Sequence, residues 1–218
     1  MLGQALQGGV AARQFLGALV YQHLRAAGLP AVGCLCKTAR TFRLSYGTVP
    51  QMKRLILTRH AKSAWDDPLT PDHDRPLNER GKAAAADLGQ WLASRGYVPE
   101  KVLCSDAVRT RQTWSGIAPA LPATPVMELK PALYHAGPDV MLAVLRHATD
   151  DCVMMIGHNP GIAEFAERLV AHPPIHPEFS RYPTGATLVC DFVTDTWAEV
   201  GFGAAVTVDF IVPREIVA

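Results

Sequence analysis

The chain has 218 residues, 49% of them hydrophobic and 19% charged, enough apolar material for one globular domain with a sizeable core and no need of a second. Lys plus Arg number 21 against 20 Asp plus Glu, a balance that gives no electrostatic reason to expect nucleic acid or a membrane surface as partner. No apolar run approaches the roughly 20 residues needed to cross a bilayer. The cysteines Cys34, Cys36, Cys104, Cys152 and Cys190 form no Cys-x-x-Cys and no zinc-finger spacing, so a reducing, cytoplasmic setting and no structural metal are expected.

Residues 1–51 contain Arg13, Arg25, Lys37, Arg40 and Arg43 and no acid, which leaves the remainder mildly acidic. This basic leader reads as a targeting segment, as a regulatory arm, or, the preferred reading, as a start-site artefact with Met52 the true beginning. The domain is therefore placed at 52–218.

Leu55-Ile56-Leu57 is a short apolar run without polar alternation, the pattern of a strand buried on both faces, and Arg59-His60 follow where it stops. Ser63 to Pro76 is a polar loop rich in Pro and Asp, long enough to suggest a functional loop or flap. Asn78 is placed to cap a helix with Ala84, Leu88, Trp91 and Leu92 on one face and Gly96 as its stop. Lys101 to Ser105 reads as a second buried strand, followed by a helix from near Ala107 to the Pro119 stop, with Val126 to Leu129 as a short edge strand. Pro138 opens a helix with Val140, Met141, Val144 and Leu145 as its apolar residues. Cys152 to Ile156 is a third buried strand, turned by Gly157-His158-Asn159-Pro160 into another helix, with Asn159 read chiefly as its cap. Ala186 to Phe192 and Val206 to Val212 complete the set. The alternation predicts an α/β fold, a three-layer sandwich with a mainly parallel sheet and helices on both faces.

In such sheets ligands bind outside the carboxyl ends of the strands, and Arg59-His60, Ser105 with Arg109, and His158 all fall at such ends. A guanidinium makes a fixed fork to two phosphate oxygens, and a neutral imidazole can attack phosphorus. Arg109, in the first turn of a helix, adds backbone N–H groups that favour an anion. Taken singly, each has an ordinary reading: a core histidine, a solvated loop arginine at Arg75, a strand-end turn serine at Ser105.

Four motifs occur in order: Arg59-His60-Ala61-Lys62-Ser63, Asp74-Arg75-Pro76-Leu77, Ser105-Asp106-Ala107-Val108-Arg109-Thr110-Arg111-Gln112-Thr113, and Gly157-His158-Asn159-Pro160. Together they resemble the signatures of the histidine phosphatase superfamily, and in particular its small SixA-type branch of phosphohistidine phosphatases. The resemblance runs from about Met52 to the C-terminus and implies a phosphoglycerate-mutase-like fold and no cofactor. It implies that His60 is the nucleophile, that Arg59, Arg75 and Arg109 hold the phosphoryl group with Ser105 as a further donor, and that His158 faces it from the other side.

The sequence departs from the larger family, which supplies a glutamate as general acid after the second-motif arginine. Here Pro131-Ala132-Leu133-Tyr134-His135 has no acid, and Asp66, Asp67, Glu128 and His135 are the substitutes considered. An alkoxide leaving group needs a proton donor, whereas imidazole leaves readily near neutral pH. The expected partner is accordingly a protein carrying phosphohistidine. A small phosphate ester and a non-catalytic phospho-ligand binder are the other readings, and no oligomeric state is implied.

Overall fold

The computed structural model describes residues 52–216; the leader, with Cys34 and Cys36, lies outside the described residues. The strands are β1 (Met52–Arg59), β2 (Lys101–Cys104), β3 (Val126–Leu129), β4 (Cys152–Gly157), β5 (Thr187–Val193) and β6 (Val206–Ile211). The main helices are α1 (Glu79–Arg95), α2 (Val108–Ile117), α3 (Pro138–Arg146) and α4 (Gly161–Leu169), with a short α5 (Pro213–Ile216) near the C-terminus.

One sheet has the order β3-β2-β4-β1-β5-β6. The first four strands are parallel, as the strand–helix alternation predicts. β5 runs antiparallel to β1, and β6 antiparallel to β5, so β5 alone is reversed: the sheet is mainly parallel, as expected, and mixed through that one strand. The link from β5 to β6 contains a short 3-10 turn, Trp197–Glu199, and no crossover helix of the kind a parallel partner requires.

Side chains alternate across a strand, so each buried strand feeds two cores. Leu55, Leu57, Val153, Met155, Leu188 and Cys190 point to the face covered by α3 and α4. Ile56, Met154, Ile156 and Val189 point to the face that packs Leu88, Trp91 and Leu92 of α1 and Trp114 and Ile117 of α2. This is why the central strands read as continuous apolar runs. Across β1 and β5, Arg54 makes a fork to Asp191 through Nε and Nη2, both at 2.7 Å, which pins the register of the antiparallel pair.

α1 begins where the sequence places it: Asn78 accepts from Gly81 N at 2.9 Å, and Gly96 ends the helix in the left-handed region at φ 71°. Ala85, not Ala84, joins Leu88, Trp91 and Leu92 in its buried face. In α3 the buried residues are Pro138, Met141, Leu142 and Leu145, while Val140 faces out. Gly81 lets the start of α1 lie against the turn after β1, since a Cβ there would stand 2.1 Å from the Lys62 carbonyl oxygen.

The 63–76 loop is fastened at its base. Ser63 bridges to Leu77, Ala64 N donates to the Pro76 carbonyl at 2.8 Å, and Arg75 Nε donates to the Ala64 carbonyl at 3.0 Å. Its outer part carries Trp65 and Leu69, both well exposed.

Candidate active site

The parallel register places three carboxyl ends side by side. Arg59 of β1 pairs with Gly157 of β4, and Cys104 of β2 pairs with Ile156. The next residue on each strand continues the ladder: His60 N donates to the Gly157 carbonyl at 3.1 Å and Ser105 N to the Ile156 carbonyl at 3.1 Å. Ser105, His158 and His60 therefore form a row set by backbone pairing, and the two imidazole rings are 5.1 Å apart between centroids.

His60 is 7% exposed. Its Nδ1 lies 2.7 Å from the Ala61 carbonyl oxygen. A carbonyl can only accept, so Nδ1 carries the proton and Nε2 keeps its lone pair. Burial, offset in part by that hydrogen bond and helped by Arg109 and Arg59, lowers the ring's pKa to about 3. Ala61 N donates to Thr113 Oγ1 at 2.9 Å, and Thr113 Oγ1 donates to the Arg109 carbonyl at 2.7 Å. The turn that carries His60 is thus tied to the helix that carries Arg109.

His158 is 3% exposed. Its Nε2 lies 2.8 Å from Ser105 Oγ, and its buried Nδ1 has no hydrogen-bond partner among the described residues. Burial, with His60, Arg109 and His135 nearby, lowers its pKa to about 2. Both rings are therefore neutral near pH 7.

Arg59 donates through Nη1 to the Tyr182 carbonyl at 3.0 Å, while its buried Nε has no partner among the described residues. Asn159 does not cap α4, whose N-cap is Pro160. Its Nδ2 instead donates to the carbonyls of Arg181 at 3.0 Å and Tyr182 at 3.2 Å, holding the segment on which Arg59 rests.

Arg109 and Arg75 are both buried, and Asp72 joins them: Asp72 Oδ2 accepts from Arg109 Nη2 at 2.9 Å and Oδ1 from Arg75 Nη1 at 3.0 Å. The Arg75 guanidinium also lies 3.2 Å from the Trp65 ring centroid. Arg111 and Lys62 are exposed.

Of the substitutes for the absent glutamate, Asp67 closes its own turn through Leu69 N and Thr70, Asp66 is exposed, and Glu128 is held by Lys130 and Lys101 on the edge strand. His135 does reach the site, its ring stacked on His158 at 5.6 Å. Two residues not singled out from sequence join it. Tyr134 sets its ring edge-on to His158 at 5.4 Å, and its hydroxyl donates to Asp72 Oδ2 at 2.8 Å. The aspartate-rich run before Arg75 and the tyrosine after Leu133 were the available signals. No group of three His, Cys, Asp or Glu among the described residues is placed to hold a metal ion.

Chemically, two buried imidazoles beside buried arginines are an arrangement able to receive an oxyanion, with the Nε2 lone pair of His60 left free. The family profile described as Histidine phosphatase superfamily (branch 1) matches residues 55–133. An uncharacterized chloroplastic protein of Arabidopsis thaliana is 39% identical over 130 residues, 54% of this chain and 59% of that protein, so the match spans little more than half of the plant protein. An uncharacterized protein of Mycobacterium tuberculosis is 34% identical over 163 residues, 72% of this chain and 99% of its own length. Among solved structures, one from Nakamurella multipartitia described as a candidate phosphohistidine phosphatase SixA superposes with a TM-score of 0.63 at 29% identity, covering 74% of this chain and 96% of that one. On the ordered motifs, the site they build and these similarities, the chain belongs to the histidine phosphatase superfamily.

Proposed function

We propose that the chain is a metal-independent phosphohydrolase that passes the phosphoryl group through His60 and removes it from phosphohistidine on a partner protein. The observation that carries this reading is the hydrogen bond from His60 Nδ1 to the Ala61 carbonyl at 2.7 Å, which fixes the tautomer and leaves Nε2 as the nucleophile.

In the first step Nε2 attacks phosphorus, the bond to the leaving group breaks, and its electron pair departs with that group. Arg59, Arg75 and Arg109 hold the non-bridging oxygens. His158 takes up a proton when the dianion enters and donates from Nδ1 to a phosphoryl oxygen, with Ser105 Oγ accepting from Nε2. Phosphorylated His60 keeps its proton on Nδ1, which donates to the Ala61 carbonyl, and so remains a good leaving group. Water then attacks phosphorus, the P–Nε2 bond breaks with its electron pair returning to the ring, and the product leaves as dihydrogen phosphate, which carries both protons of that water.

The preference for P–N over P–O cleavage rests on Asp72. Tyr134, Arg109 and His135 hold this carboxyl well below the usual carboxylate range against a desolvation that opposes them, so it carries no proton to give to an alkoxide. A reducing, cytoplasmic setting fits the described thiols, of which Cys104 is pushed up to about 12 by burial. The position of His135 beside His158 favours one second reading, a small-molecule phosphomonoesterase in which that ring supplies the proton.

The test is rapid quenching with a phosphohistidine-bearing protein and, in parallel, sugar and nucleotide phosphates. The expected result is an acid-labile phosphoryl group on His60, absent in His60→Ala, with faster turnover of the phosphohistidine protein. Faster turnover of the esters selects the second reading. Phosphate binding with no phosphoenzyme from any substrate identifies a binder.

A further inference from the structure

Asp72 opens the 3-10 turn Asp72–Asp74 in the 63–76 loop, and its carboxylate is the anion that Arg75 and Arg109 hold. Oδ1 accepts from Arg75 Nη1 at 3.0 Å, and Oδ2 accepts from Arg109 Nη2 at 2.9 Å and the Tyr134 hydroxyl at 2.8 Å, with His135 Nε2 at 3.3 Å. The Asp72 carbonyl accepts from Arg109 Nη1. Both terminal nitrogens of Arg109 are thereby committed to one residue. Arg75 Nε and Nη2 donate to the Ala64 carbonyl and Nη2 also to Ser63 Oγ, at the base of the same loop.

A carboxylate and a phosphoryl group present the same two-oxygen edge to a guanidinium. They differ in charge and exchange: the carboxylate is a monoanion tethered at high effective concentration, while the phosphoryl group is a dianion with a third oxygen for Arg59 and His158. Asp72 is also suited to leaving. Its side chain is 46% exposed, against 8% for Arg75 and 4% for Arg109, so it gains water when released while the arginines stay in place.

We propose that Asp72 is an internal counter-anion that pairs with the Arg75–Arg109 fork before substrate binds, yields it to the phosphoryl dianion, and retakes it to expel product phosphate. The inference rests on the reading that these arginines receive the phosphoryl group. Without a competing anion, three guanidiniums and a protonated His158 would hold the product tightly. Asp72 raises the KM for substrate and in exchange lowers the affinity for phosphate.

The experiment is calorimetric titration of the full chain with inorganic phosphate, comparing wild type, Asp72→Asn and Arg109→Ala. Asn keeps the size and one acceptor oxygen but not the charge. The expected result is phosphate binding about tenfold tighter in Asp72→Asn, with a lower KM and stronger product inhibition, of the order of one charge-assisted contact no longer competed for. Unchanged or weaker binding in Asp72→Asn, with Arg109→Ala still weakening it, overturns the inference, makes Asp72 a scaffold for the arginines and leaves the proposed chemistry standing. Phosphate binding insensitive to Arg109→Ala overturns both. A readout without a variant at Asp72 uses Trp65, stacked on Arg75: phosphate should shift its emission in wild type, with the shift lost in Trp65→Phe. No shift in wild type, or one of equal size in both, counts against Asp72 yielding the fork.

Discussion

At His158 the two ring nitrogens have different fates: Nε2 meets Ser105 Oγ at 2.8 Å, while buried Nδ1 meets nothing among the described residues. An imidazole ordinarily titrates near 6.5, and burial together with His60 and Arg109 brings this one to about 2. An entering dianion reverses the sign of the local field and raises it. Anion binding should therefore take up protons. Calorimetry with sulfate at about pH 6, in buffers of different ionisation enthalpy, should show uptake approaching one proton per site, lost in His158→Asn; no uptake in wild type would assign Nδ1 to some other partner. Arg109→Ala should lower kcat/KM by about a hundredfold, near 3 kcal/mol, the order measured for a lost donor to transition-state charge; steady-state kinetics on a phosphohistidine protein checks it. The placement of His60 and His158 at strand ends, and of Arg109 in the first turn of a helix, was legible from the short apolar runs and turn residues that precede them. Asp72 was not, because in the run Asp72-His73-Asp74 nothing local tells which carboxylate faces the arginines: that depends on Arg109, distant in sequence.

The turn after β4 and the turn before α3 meet at one close approach. A Cβ on Gly161, the first residue of α4, would stand 1.7 Å from the Ala136 carbonyl oxygen, and Ala136 follows the Tyr134-His135 pair whose rings pack on His158. His135 itself holds φ 50°, a conformation that costs a non-glycine residue energy and persists only where neighbours enforce it. Gly161→Ala should push these turns apart and destabilise the fold by about 1–3 kcal/mol, the range for overpacking, despite Ala's better helix propensity. Thermal unfolding should show the loss and kinetics a fall in turnover; a variant as stable as wild type would mean that the two turns separate freely. Element existence was readable from apolar runs and caps, as with Asn78 and Gly96 around α1. The direction of β5 was not, since a buried apolar run looks the same whichever way it pairs.

Across the whole molecule, the central strand β1 is hydrogen-bonded on both edges, to β4 and to β5, and it supplies side chains to both cores. It begins at Met52, and the site, the fastened loop and both helix layers follow it in the chain. The mycobacterial relative is matched over 99% of its length by 72% of this chain. These two facts support residues 52–218 as the folding and catalytic unit, a proposal that also bears on the basic leader. A protein comprising residues 52–218 should unfold in a single cooperative transition within a few degrees of the full chain, with kcat/KM on a phosphohistidine protein unchanged within about twofold. Retained stability with altered kcat/KM would make the leader, with its five cations and no acid, a modulator of access to an anionic substrate. Loss of cooperative unfolding would instead assign it a share of the core. The first of the three outcomes is expected, because both edges of β1 and both of its faces are already satisfied by residues that come after it.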